Sequence, residues 1–344
     1  MELMALGAMA LGLGLLAWLL RQPGTFDGLS RWQLWRGRLL AARREGHAAP
    51  PTRLRALRAA LPSETDHAPL WPLAKPAPLR APPRLLFVGD AAAGLPALLA
   101  AVVPEGPAQQ ALPGEEPFWR WWSLPTLTAI ELCPPPPPEE PPQDLLWLHA
   151  LRTLAQTQPE RPLDGWVLCI STALLRADAK VAEPVMQLLA RRLHESAALL
   201  EQPLPVHVLL TGLQDLPGYA TVHDALPGPW RAQALGWCAP AFFAAPGWQE
   251  ATATWQAALH GLRLSLLAQE RPARERHDIH RFVDLLLGLG PGLDRLQRSL
   301  RLDRDARTPL RGLYLTAAAP QPAFVQDLFD RFLPHPAGRG ADAA

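Results

Sequence analysis

The sequence has almost no lysine. Lys75 and Lys180 are its only two, and arginine supplies the rest of the 33 positive side chains. Against 32 acidic residues the net charge is +1, so no excess of positive charge points to a nucleic-acid partner. Cysteine is scarce as well: Cys133, Cys169 and Cys238 stand far apart, odd in number and without a CxxC pair. That excludes a disulfide framework and a CxxC-type zinc site, and it fits a reducing compartment. Motifs of covalent catalysis are missing too. There is no G-x-S-x-G, and no Cys–His–Asp set can be placed by spacing. His277 and His280 have the i, i+3 spacing of a helix but no third ligand, so they read as surface histidines. Asp303 and Asp305 open like a calcium loop that lacks its glycine and closing glutamate. No metal and no cofactor is expected.

What is present begins with a long apolar run. Leu3–Leu20 is 18 residues without a charge, and at about 1.5 Å per residue it covers ~27 Å, enough for a bilayer core. Its positive flank follows it, at Arg21, Arg31, Arg36, Arg38, Arg43 and Arg44. The positive-inside rule then places the bulk of the chain in the cytoplasm, with residues 1–20 as a single-pass anchor. A cleaved signal peptide is the competing reading, but it would carry its cations first. Residues 21–60 continue as a basic, helical segment with Trp32, Trp35, Leu39 and Leu40 on one side. Contact with anionic headgroups and packing on the protein's own domain both stand as readings. Residues 61–83 are a proline-rich linker, expected to be extended.

From Arg84 the pattern alternates. Apolar strands are expected at Leu85–Val88, Thr126–Leu132, Gly165–Ser171 and Pro205–Thr211, with helices at Ala97–Val103, Asp144–Thr157 and Val181–Leu200. Continuous apolar strands separated by helices predict an α/β fold, a mostly parallel sheet with helices on both faces. Residues 84–250 form this α/β domain. Residues 251–333 read as a helical C-terminal part, with a strand in "RGLYLTAA" and a last helix at Pro322–Leu333. The tail, 334–344, reads as disordered. Ligands in such folds bind beyond the C-terminal strand ends, which puts Gly89, Cys133, Ser171 and Thr211 near one rim.

The first strand leads into "LLFVGDAAAGLPALLA". Gly89 and Gly94 have the spacing of the phosphate-binding G-x-x-x-x-G-K-[ST], but Leu95 and Pro96 hold the last two places. Trp121 and Trp122 read as packing. The run Cys133-Pro134 to Pro138 reads as a rigid connector, with docking on an aromatic groove as its alternative.

Several stretches, in order, resemble one family. "RPLDGWVLCISTALL" (Arg161–Leu175), "PLPVHVLLTGLQDLPGY" and "LRGLYLTAA" (Leu310–Ala318) are similar to the cytoplasmic GTPase-like domain of the IcmF/TssM proteins, inner-membrane components of type VI secretion systems. "WWSLPTLTAIEL" is similar to the segment that leads to the family's switch aspartate. The resemblance runs from Arg84 to Ala318 and implies a P-loop GTPase-like fold. It also implies a nucleotide site whose residues have changed. The family's G-K-[ST] falls on Gly94-Leu95-Pro96. Its switch D-T-A-G falls on Glu131-Leu132-Cys133-Pro134. Its base-recognition T-K-x-D falls on Thr211-Gly212-Leu213-Gln214. A charged hydrogen bond is worth about 1.5–3 kcal/mol, so losing the lysine and the Mg²⁺-binding hydroxyl removes orders of magnitude of affinity. Pro96 further deletes an N–H that would face phosphate.

Two classes of function follow. One is a non-catalytic, membrane-tethered scaffold or adaptor, a pseudo-GTPase contacting other type VI secretion membrane-complex or baseplate proteins, with its oligomeric state open. The other is a nucleotide-regulated switch that still binds GTP or ATP with a partner's help. An anchored α/β protein unrelated to secretion is a third. Three motifs lost together favour the scaffold, with the loops Asp90–Pro96, Cys133–Pro142 and Gly212–Tyr219 as its contact surface.

Overall fold

The computed structural model describes residues 82–103, 118–133, 143–157, 162–239, 248–301 and 307–334. The Leu3–Leu20 run, the basic segment 21–60, nearly all of the linker, the polyproline run and the tail 335–344 lie outside the described residues. Among the described residues no helix is long and apolar enough to cross a membrane.

Seven strands form one sheet in the order β2-β3-β1-β4-β5-β7-β6. They are β1 (Arg84–Gly89), β2 (Trp119–Ser123), β3 (Thr128–Leu132), β4 (Gly165–Ser171), β5 (Val206–Thr211), β6 (Leu235–Cys238) and β7 (Leu310–Leu315). The five inner strands are parallel, and the edge strands β2 and β6 run antiparallel to their neighbours. Every residue of β4 and of β5 is buried. That is why "GWVLCIS" and "VHVLLT" show little alternation: a strand covered on both faces must be apolar throughout.

The two faces are covered unequally. One face carries Leu86, Val88, Ile130, Leu168, Ile170 and Val208 into a cluster with the helices α2 (Gln143–Thr157), α4 (Ala179–Leu200), α5 (Tyr219–Ala225), α7 (Trp248–Leu267), α8 (Ala273–Leu287) and α9 (Gly290–Leu300). The short helices α3 (Thr172–Arg176) and α6 (Gly228–Ala232) sit between these elements. The other face is thinly covered. Among the described residues, Leu85, Phe87, Ala129, Val167, Cys169 and Leu209 are covered by α1 (Leu95–Ala100), the β2–β3 turn at Leu124 and Leu127, and the segment Val325–Leu333. Phe329 stacks on Phe87 at 5.7 Å between ring centroids.

The expected strands and long helices are present, with ends shifted by one to two residues. Three features differ from expectation. The tryptophan stretch is itself a strand, β2: Trp119 and Trp121 enter one core cluster and Trp122 the other. Helix α1 begins at Leu95, two residues early, and stops at Ala100. The last helix is a single wide turn at Leu328–Phe332. Before it the chain is held in a bridge between Ala317 and Ala323, and Phe324 adopts φ 64°. The Phe324 N–H donates to the Arg231 carbonyl, so this stretch is used for pairing rather than for helix. Strand β7 lies between β5 and β6 in the same sheet, so residues 251–333 share the core and the sheet of residues 84–250.

Candidate functional site

The sheet changes direction of construction at β1: β3 lies on one side of it and β4 on the other. Beyond the strand ends at such a point a crevice forms, and this is where a ligand would sit. Gly89, Ser171 and Thr211 end β1, β4 and β5 there, and Cys133 follows the last residue of β3, as expected from the sequence.

The glycine loop has a conformational account that needs no ligand. A Cβ on Gly89 would lie 2.6 Å from the Cys169 carbonyl, so close strand approach requires glycine there. Gly94 has φ 62° and ψ 34°, the left-handed region. Between them Asp90 turns back on its own loop. Its Oδ2 accepts from the Ala92 N–H at 3.1 Å, which closes a 3₁₀ turn at Ala91–Ala93. The same carboxylate reaches β4: Oδ1 accepts from the Ser171 N–H and Oδ2 from the Ser171 hydroxyl, both at 2.7 Å. Ser171 in turn caps α3, its Oγ accepting from Leu174 N at 3.0 Å.

Leu95 does not project into the crevice as a phosphate-binding lysine would. It is buried with Phe87, Leu98 and Leu99 in the thinly covered face. Pro96 is exposed in the first turn of α1, a position that tolerates proline. The helix has only six residues, under two turns, so little dipole and few free N–H groups face the rim.

The tie between β1 and β4 is repeated along the rim. The Thr172 hydroxyl donates to the Gly212 carbonyl at 3.2 Å, joining β4 to the loop after β5. Gly212 has φ 78°. Gln214 Oε1 accepts from the Ala318 N–H at 3.2 Å, joining that loop to the one after β7. Thr316 adds two bonds to the Leu210 carbonyl, from N at 2.8 Å and from Oγ1 at 3.2 Å. The Thr211 hydroxyl is buried and has no partner among the described residues. Four neighbouring strand ends are thus joined by polar groups that belong to the protein itself.

Glu131, at the switch-aspartate position, is fully buried. One oxygen accepts from Arg120 Nη1 at 3.2 Å, the other from Trp122 Nε1 at 2.9 Å. Burial raises its pKa above the usual carboxylate value, while Trp122 and Arg120 oppose that rise. Both partners come from β2, which lies across the ladder, with Arg120 directly opposite Glu131. Burial, with the charges of Asp90 and Glu131 nearby, pushes the Cys169 thiol well up, so it stays protonated and inert. Among the described residues no group of three metal-ligating side chains occurs.

All eight candidate residues are therefore at or under one rim, with Leu95 and Glu131 buried beneath it. Of the residues tied together here, Ser171 was placed at the rim from the sequence and Trp122 was read as packing, whereas the bonds made by Asp90, Thr172 and Arg120 were not foreseen. A Ser-Thr pair at a strand end, just before a helix, is the one local signal for two of them.

Residues 143–342, more than half of the chain, match the family model described as the IcmF-related N-terminal domain. The chain belongs to the IcmF-related family. The match includes Thr211, Gly212 and Gln214 and begins after the loop Gly89–Pro96 and after Glu131. No curated protein matches this IcmF-related chain. Among solved structures, a glycine-substituted variant of SsGBP aligns at 13% identity and TM-score 0.25, over 62% of this chain and 56% of its own. An ADP-ribosylation-factor-like GTP-binding protein from Encephalitozoon cuniculi, solved with GDP, aligns at 12% identity and TM-score 0.25, over 82% of this chain and 96% of its own. The IcmF-related chain thus spans just over half the length of the SsGBP variant.

Proposed function

We propose that this IcmF-related protein is a non-catalytic, membrane-tethered scaffold of a type VI secretion membrane complex, and that its α/β domain is a pseudo-GTPase used for protein–protein contact. One observation carries the reading. The polar groups at the rim bond to one another, from Asp90 to Ser171, Thr172 to Gly212 and Gln214 to Ala318, so a nucleotide would have to displace them. A switch needs two conformations of such a rim, whereas a docking surface needs one, held at low ordering cost.

The tether is residues 1–20, with the rest of the chain in the cytoplasm. A reporter fused after Ala344 is active as a cytoplasmic fusion in this reading, and periplasmic activity contradicts it. The partner is a secretion-system protein bound constitutively. Crosslinking and co-purification from membranes recover the same partner with and without GTP. A contact that appears only with nucleotide supports the switch instead. Replacing Pro134–Pro138 by a Gly/Ser stretch weakens the contact and leaves thermal stability nearly unchanged. Unchanged binding makes that loop a connector.

A further inference from the structure

A cleft of about 720 Å³ runs along the C-terminal segment on the thinly covered side of the molecule. One end is lined by Val102, Leu124 and Asp330, the other by His223, Arg231 and Pro320. The first end is fixed by a bond at the β2–β3 turn, where the Thr126 hydroxyl donates to the Phe329 carbonyl at 3.0 Å. Its size is that of a ligand or peptide site. Its walls are mostly apolar, with His223, Gln321 and Gln326 among them, an acid, Asp330, at one end and a guanidinium, Arg231, at the other. Neither Asp330 nor Arg231 has an ion-pair partner among the described residues.

We propose that this cleft takes the chain's own proline-rich segment, residues 61–81. Three observations select it. The first is where the chain enters: Thr128 N donates to the Pro83 carbonyl at 2.9 Å, so residue 83 lies beside the β2–β3 turn, at the Asp330 end. The second is reach: the 21 residues of 61–81, extended at about 3.1 Å each, span ~65 Å, far more than the cleft needs. The third is chemistry. Leu70, Trp71, Leu73 and Leu79 supply apolar side chains, and prolines keep the ordering cost low. Arg80 and Lys75 are the first charges met in sequence going back from Pro83, and both are cations, complementary to Asp330. Residues 104–117 also leave the fold near Val102, but their charges are all acidic, at Glu105, Glu115 and Glu116, and would face Asp330. Residues 335–344 contain no large apolar side chain.

Docking would shorten the tether and hold the domain close to its anchor. That consequence rests on the membrane reading above, whereas docking itself is read on the protein alone. The test uses the full chain with Cys238, the exposed cysteine, replaced by serine. The pair Arg80→Cys with Asp330→Cys is compared with Arg80→Cys and Glu183→Cys, the latter on α4 at the opposite face. The first pair is expected to form an intramolecular disulfide about ten-fold faster or more, as a raised effective concentration requires. Equal rates overturn the proposal. Crosslinks only between chains also overturn it, because a second copy would then be the occupant. A second readout needs no new cysteine: trypsin cleaves after Arg80 about 3–5-fold faster in Asp330→Lys than in the parent, the loss of one exposed ion pair. An unchanged cleavage rate contradicts the assignment.

Discussion

Replacing Asp90 by alanine strips the rim of its first tie. Three donors lose their acceptor at once: Ser171 N and Ser171 Oγ at 2.7 Å each, and Ala92 N at 3.1 Å. A hydrogen bond to a charged group contributes about 1.5–3 kcal/mol when well shielded. Asp90 is half-buried, so water replaces part of each bond, and losses at one residue do not add. The expected cost is about 2–4 kcal/mol for Asp90→Ala, and about 1 kcal/mol for Asp90→Asn, which keeps one acceptor oxygen. Urea unfolding followed by circular dichroism reads both: the midpoint falls and the slope stays constant. In a melting experiment the alanine variant drops by roughly 4–16 °C for a domain of this size. The order alanine worse than asparagine worse than parent is part of the claim. If Asp90→Ala unfolds within about 0.5 kcal/mol of the parent, the range of an ordinary surface substitution, the carboxylate is not holding β1 to β4. The rim would then be open at its best-bonded point.

Three other outcomes follow from the same geometry. Leu95→Lys puts an amine where a buried leucine packs with Phe87 and Leu98; it is expected to cost about 2–4 kcal/mol in chemical denaturation and to confer no nucleotide binding in a titration. Gln214→Ala removes the acceptor for Ala318 N and should lower stability by about 0.5–1.5 kcal/mol, read as a shift of the thermal midpoint. His207 is fully enclosed and its pKa is lowered from 6.5 to about 4, by burial first and then by Arg311. The folded state keeps it neutral while the unfolded chain protonates, so stability present above pH 6.5 is lost as pH falls toward 4. Compared with His207→Phe, which preserves the stacking on Tyr314, the parent should lose about 3 kcal/mol more between pH 7 and pH 4; parallel pH profiles contradict the assignment.

The central strands were legible because burial on both faces leaves no room for polar residues in "GWVLCIS" or "VHVLLT". Helix α4 was legible for the complementary reason, a one-sided apolar stripe ending at Leu200. The edges were not. β2 reads as tryptophan and arginine without a β-branched residue, and its strand identity comes from the ladder that sets Arg120 opposite Glu131. β6 has four residues, one of them Gly236, too short for a period to emerge. At the rim the changed positions were visible one by one, because each departs from a known phosphate-loop pattern. The bonds among the rim's own polar groups were not visible. Asp90 and Ser171 lie 81 positions apart, and only the parallel pairing of β1 and β4 brings them within bonding distance. Leu95 likewise reads in sequence as a departure from a phosphate-loop pattern, and only the fold shows it filling a core.

Isothermal titration of the purified full chain with GTP and with ATP, each at physiological Mg²⁺, tests the closed rim most directly. The account predicts no saturable heat up to low-millimolar nucleotide, and the same null result for Asp90→Asn, because Leu95 stays in the core. Saturable binding in the micromolar range, about 8 kcal/mol of affinity, would mean that the ties at Asp90, Thr172 and Gln214 open for a ligand, and would contradict the pseudo-GTPase reading.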